Sequence, residues 1–222
     1  MSDDSFIREV DEELRSDRMQ AFWSRYGKIV IAIAALIILG TAGYRYYEYS
    51  TTAKAQATGD AFMAAVSLAD EGKREEAIAA FDALEKEAGP AYRTMARLRA
   101  ASETAALGDT KLAIEKFDAI WADGSAEQNL RSIARIRAGM LMVDEGSVSD
   151  VESRVQSLTG PDAPYRNSAL EALGLAYFKA GDLKSAHEKF DEISKSARVT
   201  GAMRQRVRIM LDVIASKGGP NN

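Results

Sequence analysis

Apolar positions along the chain fall into three successive patterns. From Ser5 to Tyr26, Phe6, Val10 and Leu14 recur every four residues, and Phe22, Trp23 and Tyr26 follow a polar interruption at Ser16 and Asp17. That spacing predicts a helix with one apolar stripe. Ile29 to Tyr44 (IVIAIAALIILGTAGY) then runs for sixteen residues without a charge, so a helix there has no polar face to turn to water. Beyond about residue 58 the pattern becomes short amphipathic segments punctuated by glycine, ending in a stripe of Met203, Val207, Met210, Leu211 and Ile214. The chain is predicted to be all-α.

The uncharged run suits a membrane. At about 1.5 Å per residue it covers roughly 24 Å, somewhat short of the roughly 30 Å of hydrocarbon, and its flanks supply the rest. Lys28 and Arg45 bracket it and can extend their charges toward headgroups. Trp23, Tyr26, Tyr44, Tyr46, Tyr47 and Tyr49 have the amphipathic rings favoured at membrane interfaces. Two competitors are a buried core helix and a cleaved signal peptide. The small-x-small site Ala53-Lys54-Ala55 lies about eleven residues past the run, beyond Arg45 and Glu48, and an acidic head of about 28 residues precedes it; a retained signal-anchor fits better. Arg15, Arg18, Arg25 and Lys28 on the N-terminal side outnumber Arg45 and Lys54 on the other, which favours a cytoplasmic N-terminus. In a bacterium the remainder then lies in the periplasm.

In the head, Asp3, Asp4 and Ser5 are candidate helix caps, and Asp4 with Arg8 and Asp11 with Arg15 are i,i+4 pairs. The head reads either as an interfacial or partner-binding helix or as a largely disordered acidic tail that extends the membrane helix.

The body repeats itself. Gly72-x4-Ala77-x3-Phe81-x2-Leu84 recurs as Gly108-x4-Ala113-x3-Phe117-x2-Ile120 and as Gly181-x4-Ala186-x3-Phe190-x2-Ile193. A degenerate copy, Gly146-x4-Val151-x3-Val155-x2-Leu158, fills the gap, and the glycines step by 36, 38 and 35 residues. Glycine permits the tight turn, alanine lets the second helix approach the first, and phenylalanine fills the space between pairs. This order and period resemble the tetratricopeptide repeat, one antiparallel helix pair per unit. Leu173, Gly174 and Tyr177 occupy that family's L-G-x-x-Y places in the last unit, and Pro90 and Pro164 fall near unit ends.

The predicted organisation is a head (1–27), a transmembrane signal-anchor helix (28–47) and a juxtamembrane linker (48–57), followed by an α-solenoid of about four helix pairs (58–200), a capping helix (201–217) and a frayed tail (218–222).

Composition narrows the chemistry. The 222 residues carry 29 basic and 33 acidic side chains, a formal charge of −4, so no basic field points to nucleic acid. With no cysteine, disulfides, thiolate nucleophiles and cysteine-based zinc sites are excluded. The single histidine, His187, lacks a second histidine or cysteine as partner and reads as solvated helix surface. Glu75-Glu76, Glu85-Glu87 and Asp191-Glu192 alternate with lysines, as on a solvated face. Neither a phosphate-cradling loop nor a nucleophile elbow occurs, so no enzyme, cofactor or metal is expected.

A solenoid offers a concave surface instead. The tetratricopeptide resemblance implies groove positions at Phe62, Val66, Met95, Leu98, Ile133, Ile136, Met140, Val143, Leu175 and Phe178. That set is apolar and lacks the lysines and asparagines of carboxylate-clamp members. It suits a hydrophobic helix or peptide, unless the chain's own segments, such as residues 203–214, cover it.

The acidic head FIREVDEELRSDRMQAFWSRYGK, one anchor ending in GYRYYEY, and about four divergent repeats together resemble the YfgM-like family of ancillary SecYEG translocon subunits. The most specific element is Gly43-Tyr44-Arg45-Tyr46-Tyr47. The resemblance implies an inner-membrane protein whose periplasmic repeats act beside the SecYEG channel with a PpiD-type chaperone, assisting exported chains. A scaffold for envelope assembly or division, and a regulator acting through the cytosolic head, are the other readings.

Overall fold

The computed structural model describes the backbone of residues 3–220 and the side chains of residues 18–220. The head's caps, its two i,i+4 pairs, its apolar positions Phe6, Val10 and Leu14, and the final asparagines lie outside the described side chains. Among the described residues every regular element is helical. The chain divides into two compact units, Met1–Ala57 and Thr58–Asn222.

The first unit is one continuous stretch of α1 (Asp3–Asp70). Residues 48–57, expected to form a linker, are helical. Nothing in Ser50-Thr51-Thr52-Ala53-Lys54-Ala55 forces a break: it holds neither proline nor glycine, and Thr51 Oγ1 bonds back to the Tyr47 carbonyl at 2.6 Å. Ile31, Leu36, Ile37, Ile38 and Leu39 are all exposed, which excludes the buried-core reading of the apolar run. Arg18–Asp70 is long and apolar enough to cross a membrane.

The second unit stacks helices in pairs. The end of α1 is followed by α2 (Arg74–Glu87), and α3 (Pro90–Ala106) by α4 (Thr110–Ala122). Next come α5 (Gln128–Glu145) with α6 (Val148–Val155), α7 (Arg166–Lys179) with α8 (Leu183–Ser194), and the closing α9 (Gly201–Ser216). Pro90 occupies the first turn of α3, where its missing N–H costs nothing. Within each pair the repeat's small residue is wholly buried: Ala77, Ala113, Val151 and Ala186. Phe81, Phe117 and Phe190 are sealed between pairs. The Phe190 ring lies directly on Gly174, where a Cβ would meet it at 2.9 Å; this is why the L-G pair carries no side chain at that point.

Gly72, Gly108 and Gly181 turn with φ of 79°, 91° and 81°, a region that L side chains avoid. Gly146 departs from them with φ −126°. The space there is tight, since a Cβ would meet Met142 Sδ at 2.5 Å and Asp150 at 3.1 Å. The turn there is closed by a capping box: Asp150 N–H donates to Ser147 Oγ, and Ser147 N–H donates to the Asp150 carboxylate. α6 then ends after eight residues in a 3-10 turn, Gln156–Leu158.

Arginines staple this irregular unit. Arg135 donates to the Ser153 carbonyl at 2.7 Å and to the Arg154 carbonyl at the end of α6, and its guanidinium lies 4.1 Å from the Trp121 ring centroid. Arg154 reaches back to Asp118 at 2.8 Å.

Candidate protein-binding groove

The first helices of the pairs carry the expected groove positions, which are not equally exposed. Phe62, Val66, Met95, Leu98, Ile133, Met140, Leu175 and Phe178 are half-buried. Phe62, Met95, Leu98 and Ile133 converge on one open cavity of about 400 Å³, together with Arg99, Ser102, Phe117 and Arg137. Phe62 is braced by Phe81 at 5.5 Å and Tyr92 at 5.7 Å, so this wall is held in one orientation. Leu98 leans on the cluster of Ile114, Phe117 and Ile120. Val66 packs on the corresponding cluster around Ala65 and Phe81.

The rest of the strip is not equally open. Ile136 and Val143 are buried with Val151, Val155 and Leu173, because they lie on the α5 face that packs against α6 and α7. They are core residues rather than groove surface. Met140 packs on the edge of that cluster. Leu175 and Phe178 pack against Leu170, Phe190, Val207, Leu211 and Ile214, so the cluster built by α8 and α9 occupies this end.

Buried charges fasten the framework. Glu103 is nearly sealed and accepts from Arg74, while Glu171 accepts from Arg206 at 2.8 and 3.1 Å, tying α9 to α7. Tyr177 donates to Glu152 at 2.5 Å, and this acceptor together with burial pushes its phenol up to about 12. The Ser125 hydroxyl and N–H, then Arg97, hold the Asp123 carboxyl down to about 2. None of these four pairings follows from helical periodicity, which places residues on faces but does not match them across helices. Arg99 and Arg137 also escape a search for apolar groove positions. Their legible signal is register, each lying nine residues before its unit's glycine.

His187 is half-buried beside Ala186 rather than fully solvated. Among the described residues no group of three His, Asp or Glu side chains is arranged to hold a metal ion.

On the first unit, Trp23, Tyr26, Lys28, Tyr44, Arg45, Tyr46 and Tyr47 are all exposed. They fall at the two ends of the apolar run, Phe22 stacks on Tyr26 at 5.3 Å, and Arg45 pairs with Glu48 at 3.5 Å.

No curated protein and no solved structure matches the chain. Residues 20–216 match a family described as a tetratricopeptide repeat-like domain. Members of this fold act typically as non-catalytic scaffolds for protein–protein contacts, and the paired helices, sealed repeat positions and apolar face are what that fold requires. The chain belongs to the tetratricopeptide repeat-like family.

Proposed function

We propose that the protein is an inner-membrane-anchored adaptor whose repeats, on the periplasmic side, bind proteins at the SecYEG translocon and assist transfer of exported chains to a PpiD-type chaperone. The observation that carries the reading is the open apolar cavity of Phe62, Met95, Leu98 and Ile133. A surface of this kind gains free energy when another protein's apolar side chains displace its water. The membrane-length helix, with aromatic residues at both ends of its apolar run, supports the anchor. The balance of basic residues around it supports a cytoplasmic N-terminus.

The test is affinity purification of the full-length chain from membranes in mild detergent after crosslinking. Translocon subunits and a membrane-anchored chaperone are expected with the native chain and are expected to be lost when Met95 and Leu98 are both replaced by glutamate. Recovery of division or outer-membrane assembly proteins instead would assign the adaptor to a different machine. Release of the chain by carbonate washing, or protection of the repeats from protease added outside spheroplasts, would overturn the anchored, periplasmic arrangement.

A further inference from the structure

Two cations stand in the groove without partners among the described residues. Arg99 on α3 and Arg137 on α5 both line the cavity, and neither makes a hydrogen bond or ion pair among the described residues. The framework arginines nearby are engaged: Arg74 with Glu103, Arg97 with Asp123 at 2.7 Å, Arg154 with Asp118 at 2.8 Å. Glu103, one turn from Arg99, is held by Arg74 and so does not neutralise it. Among the described residues no acidic side chain lines the cavity, although the whole chain is net negative at −4.

Their placement is regular. Arg99 precedes Gly108 and Arg137 precedes Gly146 by the same nine residues, so they occupy one register in successive units. That register holds Met63 in the first unit and Ala172 in the fourth, so the paired cations are confined to the middle of the groove.

We propose that the occupant of this groove is an acidic, apolar segment of another protein: large apolar side chains enter the cavity over Met95, Leu98 and Ile133, and two side-chain carboxylates pair with Arg99 and Arg137. This rests on the adaptor reading above and names the chemistry of its partner. A lone α-carboxylate would leave one guanidinium unmatched, whereas two acidic side chains match both. Guanidinium–carboxylate pairs are directional and bidentate, so they fix the register of a segment that apolar contacts alone would let slide. The same cations disfavour basic segments.

The test uses the full-length chain in detergent and fluorescence anisotropy of labelled synthetic peptides in which leucine alternates with glutamate, glutamine or lysine. The glutamate peptide is expected to bind at least about tenfold more tightly than the glutamine peptide, and to weaken as salt is raised. In the R99E/R137E variant, shown to be folded by its helical circular dichroism, the preference should reverse toward the lysine peptide. Equal binding of glutamate and glutamine peptides, no binding of the glutamate peptide to the native chain, or an unchanged preference in the folded variant would each overturn the proposal. If crosslinked partners are still recovered from membranes while the peptides show no acidic preference, the adaptor reading stands and only this inference falls. A glutamate peptide amidated at its C-terminus should bind as tightly as the free acid; loss on amidation would show a terminal carboxylate to be the group recognised and contradict the pairing with two side chains.

Discussion

The two ends of the repeat array are built from the same repeat yet differ in what covers their apolar side chains. Around Phe62, Met95, Leu98 and Ile133 the apolar side chains border an open cavity with two arginines at its edge that pair with no described residue. Around Leu175 and Phe178, equivalent side chains pack onto the cluster that α8 and α9 form. A solenoid has to end somewhere, and the last pair would expose its sealing face without a cap. The cap therefore covers apolar surface at one end, which leaves the other end open.

Substitutions should separate the two ends cleanly. The largest loss of stability is expected at the capped end: Ile214→Ala removes a fully buried side chain and should cost about 2–5 kcal/mol in urea unfolding of the full chain. Phe178→Glu should be nearly as severe, because it drives a charge toward the α8–α9 cluster. A Phe178→Glu protein as stable as the native one would place that side chain in solvent and break the comparison.

Arg206→Ala comes next. It strips the buried Glu171 of its partner, and because Arg206 itself is half-exposed the cost should be about 1–3 kcal/mol, below that of a fully buried pair. Adding Glu171→Gln should recover part of it, since the orphaned charge is then gone.

At the open end Met95→Glu should change stability by less than about 1 kcal/mol, as befits a half-exposed side chain, while abolishing partner capture. Loss of both fold and capture would make Met95 a core residue.

The smallest effect concerns pH. Tyr177 has its phenol raised from 10.0 to about 12, so its contribution is complete below pH 10 and is lost as pH rises toward 12. Unfolding curves of Tyr177→Phe should lack the part of the alkaline decline that belongs to this group.

How much of this was legible depends on what kind of information each feature needs. Helix pairs and their turns follow from the spacing of Gly72, Ala77 and Phe81 and its copies, and the cap from the stripe Met203, Val207, Met210, Leu211 and Ile214, because local periodicity and a left-handed turn are properties of short segments. Gly146 shows the limit: the letter matches the pattern, but its backbone is extended, and its surroundings are tight through Met142 and Asp150 rather than through a left-handed turn. The linker expected at 48–57 is helical, since polar composition without proline or glycine does not stop a helix already propagating from the apolar run. Register places Ile136 and Val143 in the groove, yet the short α6 of the irregular third unit brings α7 and its own valines onto that face of α5. Pairings such as Glu171 with Arg206 depend on which helices meet, which no single segment encodes.

The most direct test of a groove open at one end and occupied at the other is photo-crosslinking from two positions of the full-length chain in its own membranes. With a benzophenone side chain at Leu98, adducts to another protein are predicted; with the same probe at Phe178, none are. Adducts from position 178 and silence from position 98 would contradict the account.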